Sequence, residues 1–183
     1  MKRLLFLSGI ILLFAYNARS QEVTPLSFER VIKVDSVNKT DIYSALITWI
    51  GINYKSSKHV LEMENQDIGL IIVNANIPYK TSGLKYKYYS GYINYKMQIQ
   101  IRDNRFKVTM INFNHESIKP RGSLGLLTTK EKREKALNIG SLKVDNDIWN
   151  DTKQKSKEYS EMMFKQLSEI NFKQKSQSAA EDW

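Results

Sequence analysis

The sequence predicts an α+β domain in which one antiparallel sheet of five strands carries two helices on the same face. Three observations lead there. Residues 92–113 hold two runs of alternating apolar and polar side chains meeting at Asp103 and Asn104, the period of two that sends successive side chains to opposite faces of a strand. Two other stretches, 42–50 and 149–170, repeat apolar residues every three or four positions instead, the spacing of an amphipathic helix. Along the chain the order reads strand, helix, four strands, helix, and helices that flank a run of strands segregate to one side of an antiparallel sheet.

Residues 1–20 stand outside that fold. Lys2 and Arg3 precede an apolar run over 4–15, and Ala18, Arg19 and Ser20 make a small-x-small cleavage site with Gln21 as the new terminus, the pattern of a secretory signal peptide. The run is shorter than the roughly 20 apolar residues that cross a bilayer, and no later segment reaches that length. No transmembrane segment is therefore expected after signal removal. The chain has no cysteine, so neither a disulfide nor a lipid-modified cysteine is available, and burial alone must hold the mature protein together. Losing Lys2, Arg3 and Arg19 lowers the formal charge from +9 to +6, enough for solubility and for loose attraction to anionic surfaces.

A single domain is expected over 21–172, with a frayed tail at 173–183. Its first strand covers 28–36, with Phe28, Ile32 and Val34 on one parity. Asn38 then offers a helix N-cap, and Asp41 three residues on brings a carboxylate to free NH groups and to the positive end of the helix dipole. This helix buries Ile42, Tyr43, Leu46, Ile47, Trp49 and Ile50 and ends near Gly51. A second hairpin joins 60–64 to 70–77 through a polar turn with Gly69, and its second arm stops at Pro78, which cannot donate to a ladder. Residues 117–141 contain Pro120, Gly122, Gly125 and Gly140 and predict a long irregular excursion with one short helix near 129–137. The second long helix starts near Asp147, capped from Asp145, Asn146 or Asp147, and turns Trp149, Thr152, Ser156, Tyr159, Met163, Leu167 and Ile170 toward the sheet. The far side of the sheet is left open.

These residues carry a resemblance. The signal peptide, the strand leading into Asn38, Lys39, Thr40, Asp41, Ile42, Tyr43 and Trp49, the hairpin from Ile101 through Arg102, Asp103, Asn104, Arg105, Phe106 and Lys107 to Val108, and the closing helix are similar to a family of secreted or periplasmic proteins of Bacteroidetes-type bacteria. That family is domain of unknown function 4468, with a TBP-like fold, and the likeness covers about residues 28–113. It implies a fold and a compartment but no activity, because a TBP-like fold does not imply DNA binding. The chain departs from the family pattern at Asn104, where a glycine is expected in the turn, and through 117–141.

Chemistry leaves few marks. The two histidines, His59 and His115, stand apart from one another and from any ligand cluster, so both read as surface residues and no metal is expected. Neither a Walker loop nor a GxGxxG stretch is present, which predicts no nucleotide cofactor, and no cofactor of any kind is expected. Glu62 and Glu64 fall on one face of their strand and with His115 are the candidates for a hydrolase acting on an envelope polymer. The stronger candidate is a recognition segment: Tyr86, Lys87, Tyr88 and Tyr89 combine rigid aromatic area with charge, although packing of these tyrosines against their neighbours is the preferred reading. An exported chain is not expected to meet nucleic acid. The sequence favours a non-enzymatic domain that binds a protein or glycan of the envelope, in the periplasm or at the cell surface, through the open sheet face or this segment.

Overall fold

The computed structural model describes residues 22–54, 60–137 and 141–172. The signal peptide at 1–20, the tail at 173–183 and His59 lie outside the described residues. Among the described residues six strands form one antiparallel sheet: β1 Phe28–Lys33, β2 Leu61–Asn65, β3 Leu70–Tyr79, β4 Gly91–Arg102, β5 Arg105–Ser117 and β6 Gly125–Leu126. The lateral order is β1-β5-β4-β3-β2, and β6 shares the β1 side of β5 by pairing with Asn114 and His115. The expected five strands are thus joined by one short strand inside the 117–141 excursion.

The central hairpin decides which side chains are buried. Ile93, Tyr95, Met97, Ile99 and Ile101 of β4 face the helices, matched by Phe106, Val108 and Met110 of β5. Register then shifts opposite Tyr95, where Asn112 takes a left-handed φ of 58°. Two residues oppose one in such a bulge, so the inward parity of β5 changes and Phe113 and His115 point to the helices instead. At the other end of the hairpin Asn104 has φ 62°. Its side-chain oxygen accepts from Val37 N at 3.1 Å, and Asp103 accepts from Lys39 N at 2.7 Å. The turn therefore clamps the connection between the first strand and the first helix.

Helix α1, Lys39–Asn53, is capped by Asn38, whose side chain accepts from the backbone N of Asp41, and it buries Ile42, Tyr43, Leu46 and Ile50. Helix α2, Leu142–Ser168, lies beside it on the same face, so Trp49 and Trp149 share one core. The seam of α2 is built of small residues: Thr152, Ser156 and Ser160 are fully buried. Each hydroxyl donates to a carbonyl of its own helix, at 2.9, 2.8 and 2.7 Å, so the polar atoms are satisfied while the helix comes close to the sheet. Above the bulge the hydroxyls of Tyr54, Tyr95 and Tyr159 meet at 3.1 and 3.2 Å, and burial pushes the Tyr54 phenol up to about 12.

Three local expectations are corrected. Strand β3 runs through Pro78 to Tyr79; β2 pairs only as far as Val73, so the proline faces an unpaired edge and removes no ladder bond. Residues 129–137 form bends rather than a helix, because α2 takes up their backbone groups: Asn146 accepts from Arg133 N at 2.6 Å, Asp145 from Leu137 N at 2.6 Å, and Trp149 donates to Lys130 O at 3.0 Å. Helix α2 begins at Leu142 with Ser141 as its cap. Asp145, which has the composition of a cap, is instead a buried acceptor inside the first turn.

Candidate functional site

Two regions of surface stand out, and one of them contains the residues named from sequence. After β3 the chain forms a 3-10 turn, Leu84–Tyr89, before entering β4. Tyr89 is only 1% exposed and donates its hydroxyl to Asp145 at 2.6 Å. Burial, followed by that carboxylate, holds the phenol above its ordinary pKa. Tyr86 packs partly buried against the core. Of the four candidates, Tyr89 and Tyr86 thus serve packing, while Lys87 and Tyr88 remain exposed.

The turn is pinned at both ends. Thr81 donates its hydroxyl to Tyr86 O at 2.7 Å and receives Ser90 Oγ at 2.8 Å, and Ser117 Oγ reaches Tyr88 O. Gly122 lies so near that a Cβ there would stand 1.9 Å from Tyr88 O, a contact only glycine permits. Beside the turn is a cleft of about 520 Å³ lined by Lys80, Leu84, Lys87, Ile118 and Lys119 among others.

The second region is the open sheet face. Cross-strand register places Asn76 opposite Asn94 and Asn94 opposite Asn114, a row of three amides across β3, β4 and β5. Asn74 and the bulge residue Asn112 join Asn76 and Asn94 around a groove of about 380 Å³ that also involves Lys96. Half-exposed Tyr92, between Pro78 and Glu116, closes one end of this patch. At the other end Lys96 is paired with Glu62 at 2.7 Å. Asn114 donates to Glu116 at 3.0 Å, and Asn74 bonds to Glu62. Among the described residues none bonds to the side chains of Asn76, Asn94 or Asn112. Reading the sequence for charged and aromatic residues missed these amides. The available signal was asparagine recurring on outward positions of three strands, a residue type that strands disfavour.

Residues 28–116 match the family model for a domain of unknown function, DUF4468, with TBP-like fold. This domain belongs to that family. No curated protein matches the chain in sequence. Two solved structures share the fold. A TBP-like protein from Parabacteroides distasonis is 15% identical with a TM-score of 0.53, covering 80% of this chain and 95% of its own. A DUF4468 family protein from Bacteroides ovatus is 10% identical with a TM-score of 0.55, covering 81% and 89% respectively. At these identities the likeness is one of fold.

In this DUF4468 domain the residues considered for hydrolysis do not come together. A register shift between Leu61 and Met63 puts Glu62 and Glu64 on opposite faces: Glu62 meets Lys96 on the open side, while Glu64 stands opposite inward-facing Ile71 and acts on Tyr43 of α1. The expectation of a shared face is therefore corrected, with the bulge as the cause. His115 is fully buried rather than on the surface. Its Nε2 is 2.9 Å from Tyr89 O and its Nδ1 accepts from Leu124 N at 3.2 Å, an arrangement for a neutral ring with the proton on Nε2. Burial holds its pKa below the ordinary histidine value. Both nitrogens are occupied in joining β5 to its surroundings. Among the described residues no group of three or more His, Asp or Glu side chains is placed to hold a metal, and no helix is long and apolar enough to cross a membrane.

Proposed function

We propose that this DUF4468 domain is an exported, non-catalytic module that binds a glycan of the cell envelope, in the periplasm or at the cell surface, through the open face of its sheet. The asparagine row carries the reading. Asparagine is unfavourable in strands, and an exposed sheet face accepts threonine without that disadvantage and lysine with less of it, yet Asn76, Asn94 and Asn114 stand side by side. Each amide offers two donors and an acceptor, and strands about 4.8 Å apart repeat them at roughly the width of a sugar ring. Tyr92 adds an aromatic plate of the kind that apolar sugar faces cover. A groove of about 380 Å³ is in the range of small-ligand sites, roughly 300–1,000 Å³.

Export is supported by Lys2 and Arg3, the apolar run over 4–15 and the Ala18, Arg19, Ser20 site. The protein recovered from its native cells is expected to begin at Gln21. Recovery of an uncleaved chain from the cytosol would remove this part of the reading. A hydrolase loses its support, since its carboxylates lie on opposite faces and its histidine is a buried structural group.

Retention of the mature domain on protease-treated, glycan-rich envelope from a Bacteroides species tests the binding. Wild type is expected to be retained, and the Asn76→Val, Asn94→Val, Asn114→Val variant to be released with its melting temperature unchanged. Retention only on envelope that keeps its proteins would assign the face to a protein partner. Equal retention of the variant would overturn the asparagine site.

A further inference from the structure

We infer that the Leu84–Tyr89 turn and neighbouring Ile118 form a tip that rests on anionic lipid bilayers, sinking two aliphatic side chains among the head groups. Leu84 is 88% exposed, the most exposed large apolar residue among those described, and Ile118 is 71% exposed. Both line one cleft together with Lys80, Lys87 and Lys119. Among the described residues no carboxylate pairs with any of these lysines. The nearest acid along β5, Glu116, takes the amide of Asn114. The tip is therefore cationic and apolar at once, and the complementary surface is anionic and apolar at once.

That pairing selects the occupant. A soluble polyanion would satisfy the lysines and leave Leu84 and Ile118 in water, whereas a neutral apolar partner would leave three ammonium groups without counter-charge. A bilayer with anionic head groups meets both needs at different depths, since an apolar face sinks about 5–10 Å into the interface while lysine side chains stay at head-group level. The tip is also held ready. Tyr89 is anchored on Asp145, Gly122 presses against Tyr88 O, and Thr81 ties the two ends of the turn. Leu84 is thus kept outward without ordering on binding, which preserves affinity.

Co-sedimentation of the mature domain with vesicles of mixed phosphatidylcholine and phosphatidylglycerol, against phosphatidylcholine alone, tests the inference. Binding is expected to the mixed vesicles only and to weaken as salt rises. Lys87→Gln is expected to lower the affinity about fivefold. Leu84→Ser with Ile118→Ser is expected to lower it about tenfold or more even at low salt, with an unchanged melting temperature because both positions are exposed. The asparagine triple variant should bind vesicles as wild type does, which separates this inference from the glycan reading. Equal binding of the serine variant, equal binding to both vesicle types, or binding to polyglutamate with none to vesicles would each overturn it.

Discussion

Asn104 does two things that a glycine does not do together: it adopts φ 62° and holds Val37 N with its side chain. Asn104→Gly keeps the backbone conformation and loses one part-buried hydrogen bond, so a destabilisation of about 1 kcal/mol is expected. Asn104→Ala loses the bond and adds strain at positive φ, and should unfold at lower denaturant than the glycine variant. The reverse order would contradict this role. His115 makes the opposite lesson. Its place at a strand end beside Glu116 reads as surface in the sequence, whereas the edge contact with Tyr79 at 5.2 Å and the bond from Leu124 N come from other segments of the chain. Because burial keeps its folded pKa below the ordinary value, the unfolded chain takes up a proton first on acidification. Stability is therefore expected to fall as pH drops below about 6.5. Melting temperatures between pH 7.5 and 5.5 should show this decline in wild type and a flatter profile in His115→Gln; parallel profiles would refute it. The tyrosines of the 3-10 turn divide in the same way. Tyr88→Ser should leave the melting temperature nearly unchanged, while Tyr89→Ser should lower it strongly by leaving the buried Asp145 without its hydroxyl partner.

At the scale of elements, what was legible was what repeats locally. The alternation of β4 and β5 and the Asn38 cap of α1 follow from a few neighbouring residues, and both are found as read. Bulges are harder, since an extra residue changes which face every later side chain takes and leaves no local mark. The shift in β2 separates Glu62 from Glu64 in this way, and the one at Asn112 brings Asn114 onto the open face and His115 into the core. The start of α2 was misread for another reason. Asp145, Asn146 and Asp147 resemble caps in composition, but Asp145 and Asn146 bond to the excursion, and Ser141 caps the helix through Val144 N. Ser141→Ala is accordingly expected to destabilise by about 1 kcal/mol, measured by denaturant midpoint. No change would mean that the first turn of α2 is held by the excursion alone.

For the whole molecule the decisive feature is its two-sidedness. Both helices cover one face, with Met97, Ile99, Val108 and Met110 fully buried beneath them, and the asparagine row lies on the other. The sequence made this asymmetry legible through its helical stripes and alternating strands. It concealed the asparagine row, because three amides distant in the chain become neighbours only when register is fixed. The long strands run from the Asp103, Asn104 turn at one end to the Leu84–Tyr89 tip at the other. A tip seated on lipid would therefore stand the asparagine face upright beside the membrane, within reach of envelope glycans.

The glycan reading is tested most directly by titrating isotope-labelled mature domain with soluble oligosaccharides released from a Bacteroides envelope and following the side-chain amide signals by NMR. Saturable shifts at Asn76, Asn94, Asn112 and Asn114, with the tip and the helices unmoved, are the predicted result. Shifts confined to other surfaces, or none at any ligand concentration, would contradict it.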